Sequence, residues 1–200
     1  MTSTSNVLVG VPDKVSGGVY FSASPLAVDD YPTTALETQL PDTLVASGFI
    51  GEDGVTEANE SDTEKIKAWG GDTVRVVQTD HTVTYTLSFL EFGNVDVLKA
   101  LYGEDNVDED GTVLTAKINA DVLEHRSWLF EMKDGDNRIR IFVPDGQITN
   151  RGEINYTHGG AIVPEVTIEA FPDANGDKAI KVIARAGGDD DNGEDEPEAP

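Results

Sequence analysis

The chain has 200 residues, of which 38% are hydrophobic, and its 14 basic and 38 acidic residues give a formal net charge of −24 at pH 7. That length holds one core of ordinary size, the apolar fraction is enough to fill it, and the charge argues against a surface that grips DNA. The absence of cysteine excludes a disulfide framework, a thiolate nucleophile and a cysteine-ligated zinc site.

In chain order, Met1 to Gly10 has neither a basic n-region nor a long apolar stretch, and no run of about 18 apolar residues follows. No secretory signal or membrane-spanning helix is therefore expected, and the chain is expected to fold in a cytoplasm. Short runs of β-branched and aromatic residues predict strands at Gly18 to Ala23 and Val45 to Ile50. Between them, Asp29 to Asp42 carries Pro32, Pro41 and several threonines and reads as a loop long enough to touch a partner. Glu52-Asp53-Gly54 marks a turn. Lys65 to Trp69, Thr73 to Gln78 and His81 to Glu91 are further strands, and the last is the clearest. There Val83, Tyr85, Leu87 and Phe89 take one face, while Thr82, Thr84, Thr86 and Ser88 take the other.

A single helix is predicted from Val95 to Tyr102. Asn94 is its N-cap, Val95, Leu98 and Leu101 (or Tyr102) form its apolar face, Lys99 points outward, and Gly103 stops it. Strands follow at Thr112 to Ile118, Ser127 to Lys133, Arg138 to Val143, Gln147 to Tyr156, Val163 to Phe171 and Ala179 to Ala184, with Asp110-Gly111 and Asp145-Gly146 as hairpin turns. In Val163 to Phe171 the apolar Val166, Ile168 and Ala170 alternate with Glu165, Thr167 and Glu169. From Gly187 to Pro200 seven carboxylates stand without a basic residue, which predicts a disordered acidic tail. Residues 1–186 then form the β-domain and keep a net charge of −17. The expected fold is all-β and mainly antiparallel, with one short flanking α-helix.

No catalytic chemistry is legible. His81, His125 and His158 lack metal-ligand spacing, and no G-x-S-x-G elbow is present. Asp173 to Asp177 lacks the Gly and Glu that a calcium loop requires and reads as a β-turn. Gly70-Gly71 lacks the rest of a phosphate-binding loop and reads as a turn or bulge. Neither cofactor nor metal is expected. Acidic residues are so abundant that no carboxylate pair stands out for a polysaccharide hydrolase. Trp69, Trp128 and Tyr85 leave open a second reading, an acidic carbohydrate-binding β-sandwich that stacks sugars on aromatic rings.

Several ordered strings point elsewhere: Gly48-Phe49-Ile50-Gly51-Glu52-Asp53-Gly54-Val55-Thr56-Glu57, then Lys65-Ile66-Lys67-Ala68-Trp69-Gly70-Gly71-Asp72-Thr73-Val74-Arg75, then the alternating run Thr82 to Phe92. Asn94-Val95 leading to Val97-Leu98 and Leu101-Tyr102-Gly103 completes the set. From about Gly10 to Pro172 the chain resembles the major tail tube proteins of long-tailed (siphovirus) bacteriophages, especially those infecting actinobacteria. The resemblance implies a β-sandwich or partial barrel, six copies closing into a ring, and rings stacking into the tube through which DNA leaves the virion. Protomers contributing roughly four strands each would form one continuous barrel without free edges around an aqueous lumen.

The partners so implied are further copies of the chain, a tape-measure protein inside, and completion or baseplate proteins at the ends. Viral DNA passes without specific binding, and no membrane is involved. On this reading Thr82, Thr84, Thr86, Ser88, Glu165, Thr167 and Glu169 line the lumen and present hydroxyls and carboxylates to DNA. Alternation alone leaves an ordinary outer face equally open. The polar segment Asn59, Glu60, Ser61, Asp62, Thr63 and Glu64 is a candidate arm reaching the next ring or an exposed loop; Asp29 to Asp42 is a second candidate.

Overall fold

The computed structural model describes residues 7–12, 16–32 and 40–185. The acidic tail from Gly187 and residues 33–39 of the long loop lie outside them. Eleven strands and one α-helix follow one another: β1 (Val11–Pro12), β2 (Val19–Phe21), β3 (Val45–Ala46), β4 (Thr56–Lys67), β5 (Thr73–Ser88), α1 (Val95–Tyr102), β6 (Val107–Asp110), β7 (Val113–Ala116), β8 (Arg126–Asp134), β9 (Asn137–Arg151), β10 (Glu165–Phe171) and β11 (Ile180–Ala184). The main sheet is antiparallel in the order β3-β2-β8-β9-β10-β5-β4. β1 adds to β8 and β11 to β9, and β6 and β7 form a separate hairpin.

The sheet curls. Tyr85 on β5 and Phe130 on β8 are two strands removed from adjacency, yet their rings lie 5.0 Å apart. The chain beyond β3 meets the chain beyond β5 in an isolated bridge between Ile50 and Phe89. The Leu90 N–H donates to the Phe49 carbonyl at 2.9 Å, and the Gly51 N–H to the Ser88 carbonyl at 2.8 Å. The result is an antiparallel partial barrel, open along most of its length and drawn together at one end. Its core collects the alternating residues Val83, Tyr85, Leu87, Phe89, Val166, Ile168 and Ala170 with Phe21, Trp128, Phe130 and Val143.

Helix α1 closes over that core. The Asn94 side chain accepts the Asp96 N–H at 3.0 Å, and Gly103 ends the helix at a φ of 97°. The apolar face differs from the expected stripe: Val97, Leu98, Ala100, Leu101 and Tyr102 are all buried, whereas Val95 is only half-buried. Its C-terminal carbonyls are satisfied from outside the helix. Arg126 Nη2 donates to Lys99 O at 3.3 Å, Arg151 Nη1 to Leu101 O at 2.9 Å, and Asn106 Nδ2 to Tyr102 O at 2.9 Å. Two cations at the negative end of the helix dipole add favourable electrostatics. Arg126 is almost fully buried and pairs with Glu104 at 3.1 Å.

Two expectations are revised. The strands expected at Arg138 to Val143 and Gln147 to Tyr156 are one strand, β9, and Asp145-Gly146 is not a hairpin turn. The indole of Trp128 crosses this backbone and donates to Gly146 O at 3.3 Å. A Cβ on Gly146 would stand 2.7 Å from that ring, so glycine is there for close approach. Pro144, which has no N–H to give the ladder, accepts the Ser127 hydroxyl at its carbonyl (2.6 Å) beside the irregularity between Arg126 and Trp128. The second revision joins Thr73 to Gln78 and His81 onward into the 16-residue β5, partnered by the 12-residue β4.

Trp128→Ala should destabilise the fold by about 3 to 5 kcal/mol, seen as a lower urea midpoint at unchanged slope. Trp69→Ala, at a fully exposed ring, should change stability by less than about 0.5 kcal/mol.

Candidate functional site

The register between β5 and β10 decides where the polar residues go. Glu165 stands opposite Ser88, Thr167 opposite Thr86 and Glu169 opposite Thr84, and directly opposed residues share a face. The structure therefore gathers Thr82, Thr84, Thr86, Ser88, Glu165, Thr167 and Glu169 on the side of the sheet away from the core. The Thr86 and Thr167 hydroxyls are 3.5 Å apart. Thr56, Ala58 and Glu60 on β4 extend this face opposite Thr86, Thr84 and Thr82, and Gln147 and Asn150 of β9 extend it opposite Glu169 and Thr167. None of these twelve residues is basic.

The segment Asn59 to Glu64 is not a loop. It lies within β4, paired residue by residue from Asn59 opposite Val83 to Glu64 opposite Val77. β10 reaches only as far as Val83 on β5. Past that point β4 and β5 pair with each other alone, and every residue from Ser61 to Val76 is exposed. From Ser61 to Lys67 this free ribbon rises about 20 Å.

The tip is closed by a Gly71 N–H to Ala68 O bond and an Ala68 N–H to Asp72 O bond, of 2.9 and 2.8 Å. Gly71 there adopts a φ of 95°, a conformation that favours glycine. Trp69 at the tip is 106% exposed, and Ile66, Val74 and Val76 beside it are also exposed. Lys65, Lys67 and Arg75 flank them, with Asp72 the one carboxylate between Lys65 and Arg75. Sequence reasoning placed the arm in the stem and missed this tip. A usable signal was present in two strand runs separated by Gly70-Gly71 and in three bases clustered within a strongly acidic chain.

The second candidate arm, Asp29 to Asp42, is held to the body at its described ends. Tyr31 packs on Phe142 at 4.9 Å and bonds the Asp173 carboxylate at 3.2 Å, and Leu40 packs against the small cluster of Leu44, Leu129 and Phe142. The aromatic platform of the carbohydrate reading does not form. Trp128 and Tyr85 are fully buried, and burial, then the Glu57 carboxylate, pushes the Tyr85 phenol well above its ordinary pKa.

His81 accompanies Asn59 in the ribbon stem at 2.9 Å, His125 pairs with Asp145 at 2.6 Å, and His158 is exposed. Among the described residues no group of three His, Cys, Asp or Glu is placed to hold a metal ion. Asp173 forms a turn, as expected: its carboxylate accepts the N–H groups of Asp177 (2.9 Å) and Asn175 (2.8 Å), which holds its pKa below the usual carboxylate range against a smaller desolvation effect.

A family model described as phage tail tube protein matches residues 13–189. The chain belongs to the phage tail tube protein family. A tail tube protein is a structural component of the virion and not an enzyme. No curated protein matches the chain. Among solved structures, the chain is similar to the sheath–tube complex of an extracellular contractile injection system (PVC) in its extended state, at 14% identity over 92% of this chain and 100% of that one, with a TM-score of 0.47. It is also similar to the tube-terminating cap of the anti-feeding prophage, at 11% identity over 92% of this chain and 100% of that one, with a TM-score of 0.46. The family assignment rests on the family match.

The tail tube chain has two tryptophans, one at the tip and one in the core, which makes its arm observable. In the unassembled subunit, acrylamide should strongly quench the emission that Trp128→Phe leaves and barely quench that of Trp69→Phe. Equal quenching in the two variants would place the tip against the body instead.

Proposed function

We propose that this tail tube subunit closes, as six copies, into rings that stack into the tube of a long-tailed, siphovirus-type phage of the kind infecting actinobacteria, and that the tube is the conduit for genome ejection. The observation that carries this reading is the patch of twelve neighbouring residues on β4, β5, β9 and β10, none of them basic, with Glu60, Glu165 and Glu169 among them. Basic residues on such a wall would neutralise phosphates and retain the duplex through counterion release; hydroxyls and carboxylates leave it free to slide. The subunit is made in the host cytoplasm. Its partners are its own copies, a tape-measure protein within the growing tube, and completion and baseplate proteins at the two ends.

The free ribbon serves as the contact between rings. A two-stranded hairpin without a covered face is marginal in water, and packing against a neighbouring subunit supplies the missing cover. The sheet path ends in β3 on one side and β4 on the other, so lateral pairing between copies removes exposed edges.

Virions carrying Glu165→Lys with Glu169→Lys should assemble tubes of normal length and eject DNA more slowly; normal ejection kinetics would reject the lumen assignment. Deleting Asn59–Glu64 should leave a soluble subunit that no longer stacks in negative-stain electron micrographs. Ordinary tubes from that variant would reject the arm.

A further inference from the structure

The strongest unassigned surface is an apolar groove of about 700 Å³ at the root of the hairpin. It opens where β1 pairs with the end of β8 and where residues 49–55, between β3 and β4, pass alongside. Val11, Pro12, Phe49, Ile50, Val55 and Met132 line it, and Phe49 is 58% exposed although it stands beside the bridge that draws the barrel together. The rim is acidic. Glu52 and Asp53 are exposed on the turn over the groove, Glu131 beneath them is engaged by Arg140 at 2.8 Å, and none of the described lining residues is basic.

The hairpin tip has the complementary chemistry. It exposes Trp69, Ile66, Val74 and Val76 among Lys65, Lys67 and Arg75, in a chain whose net charge is −24. An apolar anchor inside a charged rim is the usual arrangement of a specific interface. Tip and groove cannot meet within one molecule: Val55 lines the groove, and from the next residue, Thr56, to Lys67 the strand β4 extends about 36 Å. The two surfaces therefore sit at opposite ends of one extended ribbon. A contact between unlike ends is heterologous: it closes into a ring where its rotation closes, and it repeats as an open stack where, as along a tube axis, it advances from one copy to the next.

We propose that the hairpin tip of one copy seats in this groove of the next copy along the stack. The Trp69 indole enters between Phe49 and Val55, and Lys65, Lys67 and Arg75 face Glu52 and Asp53. The proposal rests on the arm reading above and adds the receiving site. It also gives the acidic surface a partner of opposite sign and sets the order of copies, since a tip presents no carboxylate-rich groove to another tip.

The absence of cysteine in the chain allows a direct test. Trp69→Cys combined with Phe49→Cys should give a disulfide-linked ladder of copies when the protein is oxidised at high concentration, whereas either variant alone should give no ladder. Monomer only, from the double variant, overturns the seat. A second measurement keeps Trp69 in place. Glu52→Lys with Asp53→Lys should raise the concentration at which tubes appear at least about tenfold, and adding Lys65→Glu, Lys67→Glu and Arg75→Glu should bring it back; an unchanged threshold, or no recovery, overturns the pairing. Deleting Asn59–Glu64 separates the two ideas. Tubes that survive the deletion overturn the arm itself. Tubes lost on deletion but formed normally by Glu52→Lys with Asp53→Lys overturn only the groove and leave the tip to another surface of the neighbour or another tail protein.

Discussion

The pairing of β5 with β10 is the constraint on which the rest of the molecule depends. Both strands alternate apolar and polar residues, and a slip of one residue would turn every side chain to the other face. Val83, Tyr85, Leu87, Val166 and Ile168 are almost completely buried, so a slipped register would drive threonines and glutamates into the core. Burial of each large apolar side chain contributes about 1.5 to 3 kcal/mol, and several moving together make the native register the one that survives. The polar face on the other side is a by-product of that register.

A second constraint joins the helix to the sheet. Helix α1 ends inside the protein, where unpaired carbonyls are costly. Arg126, Arg151 and Asn106 reach three of the last four from outside the helix. Arg126 also bonds Ser22 O, and Glu104 pairs with both Arg126 and Lys99, so one guanidinium ties β2, β8 and the helix C-terminus together. A buried arginine with its hydrogen bonds made is tolerated; the same residue with one partner removed leaves an uncompensated charge.

Outside this body the hairpin follows different rules. Every residue from Ser61 to Val76 is exposed, so backbone pairing and tip geometry hold the ribbon without a core. An exposed apolar tip on a monomer is an aggregation liability unless it has a defined destination. The acidity of the remaining surface opposes close approach of copies by charge repulsion, and the three basic residues of the tip carry the opposite sign.

The all-β class, the faces of β5 and β10, the capped helix after Asn94 and the Asp110-Gly111 hairpin were legible in the sequence, because period-two burial, cap chemistry and turn residues are local properties. The sequence did not reveal that Asp145-Gly146 lies within a strand, because Gly146 is required by an indole that arrives from β8. Of β4 it marked only the end, from Lys65, as a strand, because the residues from Ser61 onward are exposed on both sides of the ribbon and carry no apolar alternation. Which strands neighbour which is a tertiary relation, and it alone brings seven polar residues from two distant segments onto one face and sets a basic tip and an acidic groove at opposite ends of one ribbon. Those relations depend on long-range pairing, which composition and spacing along the chain do not encode locally.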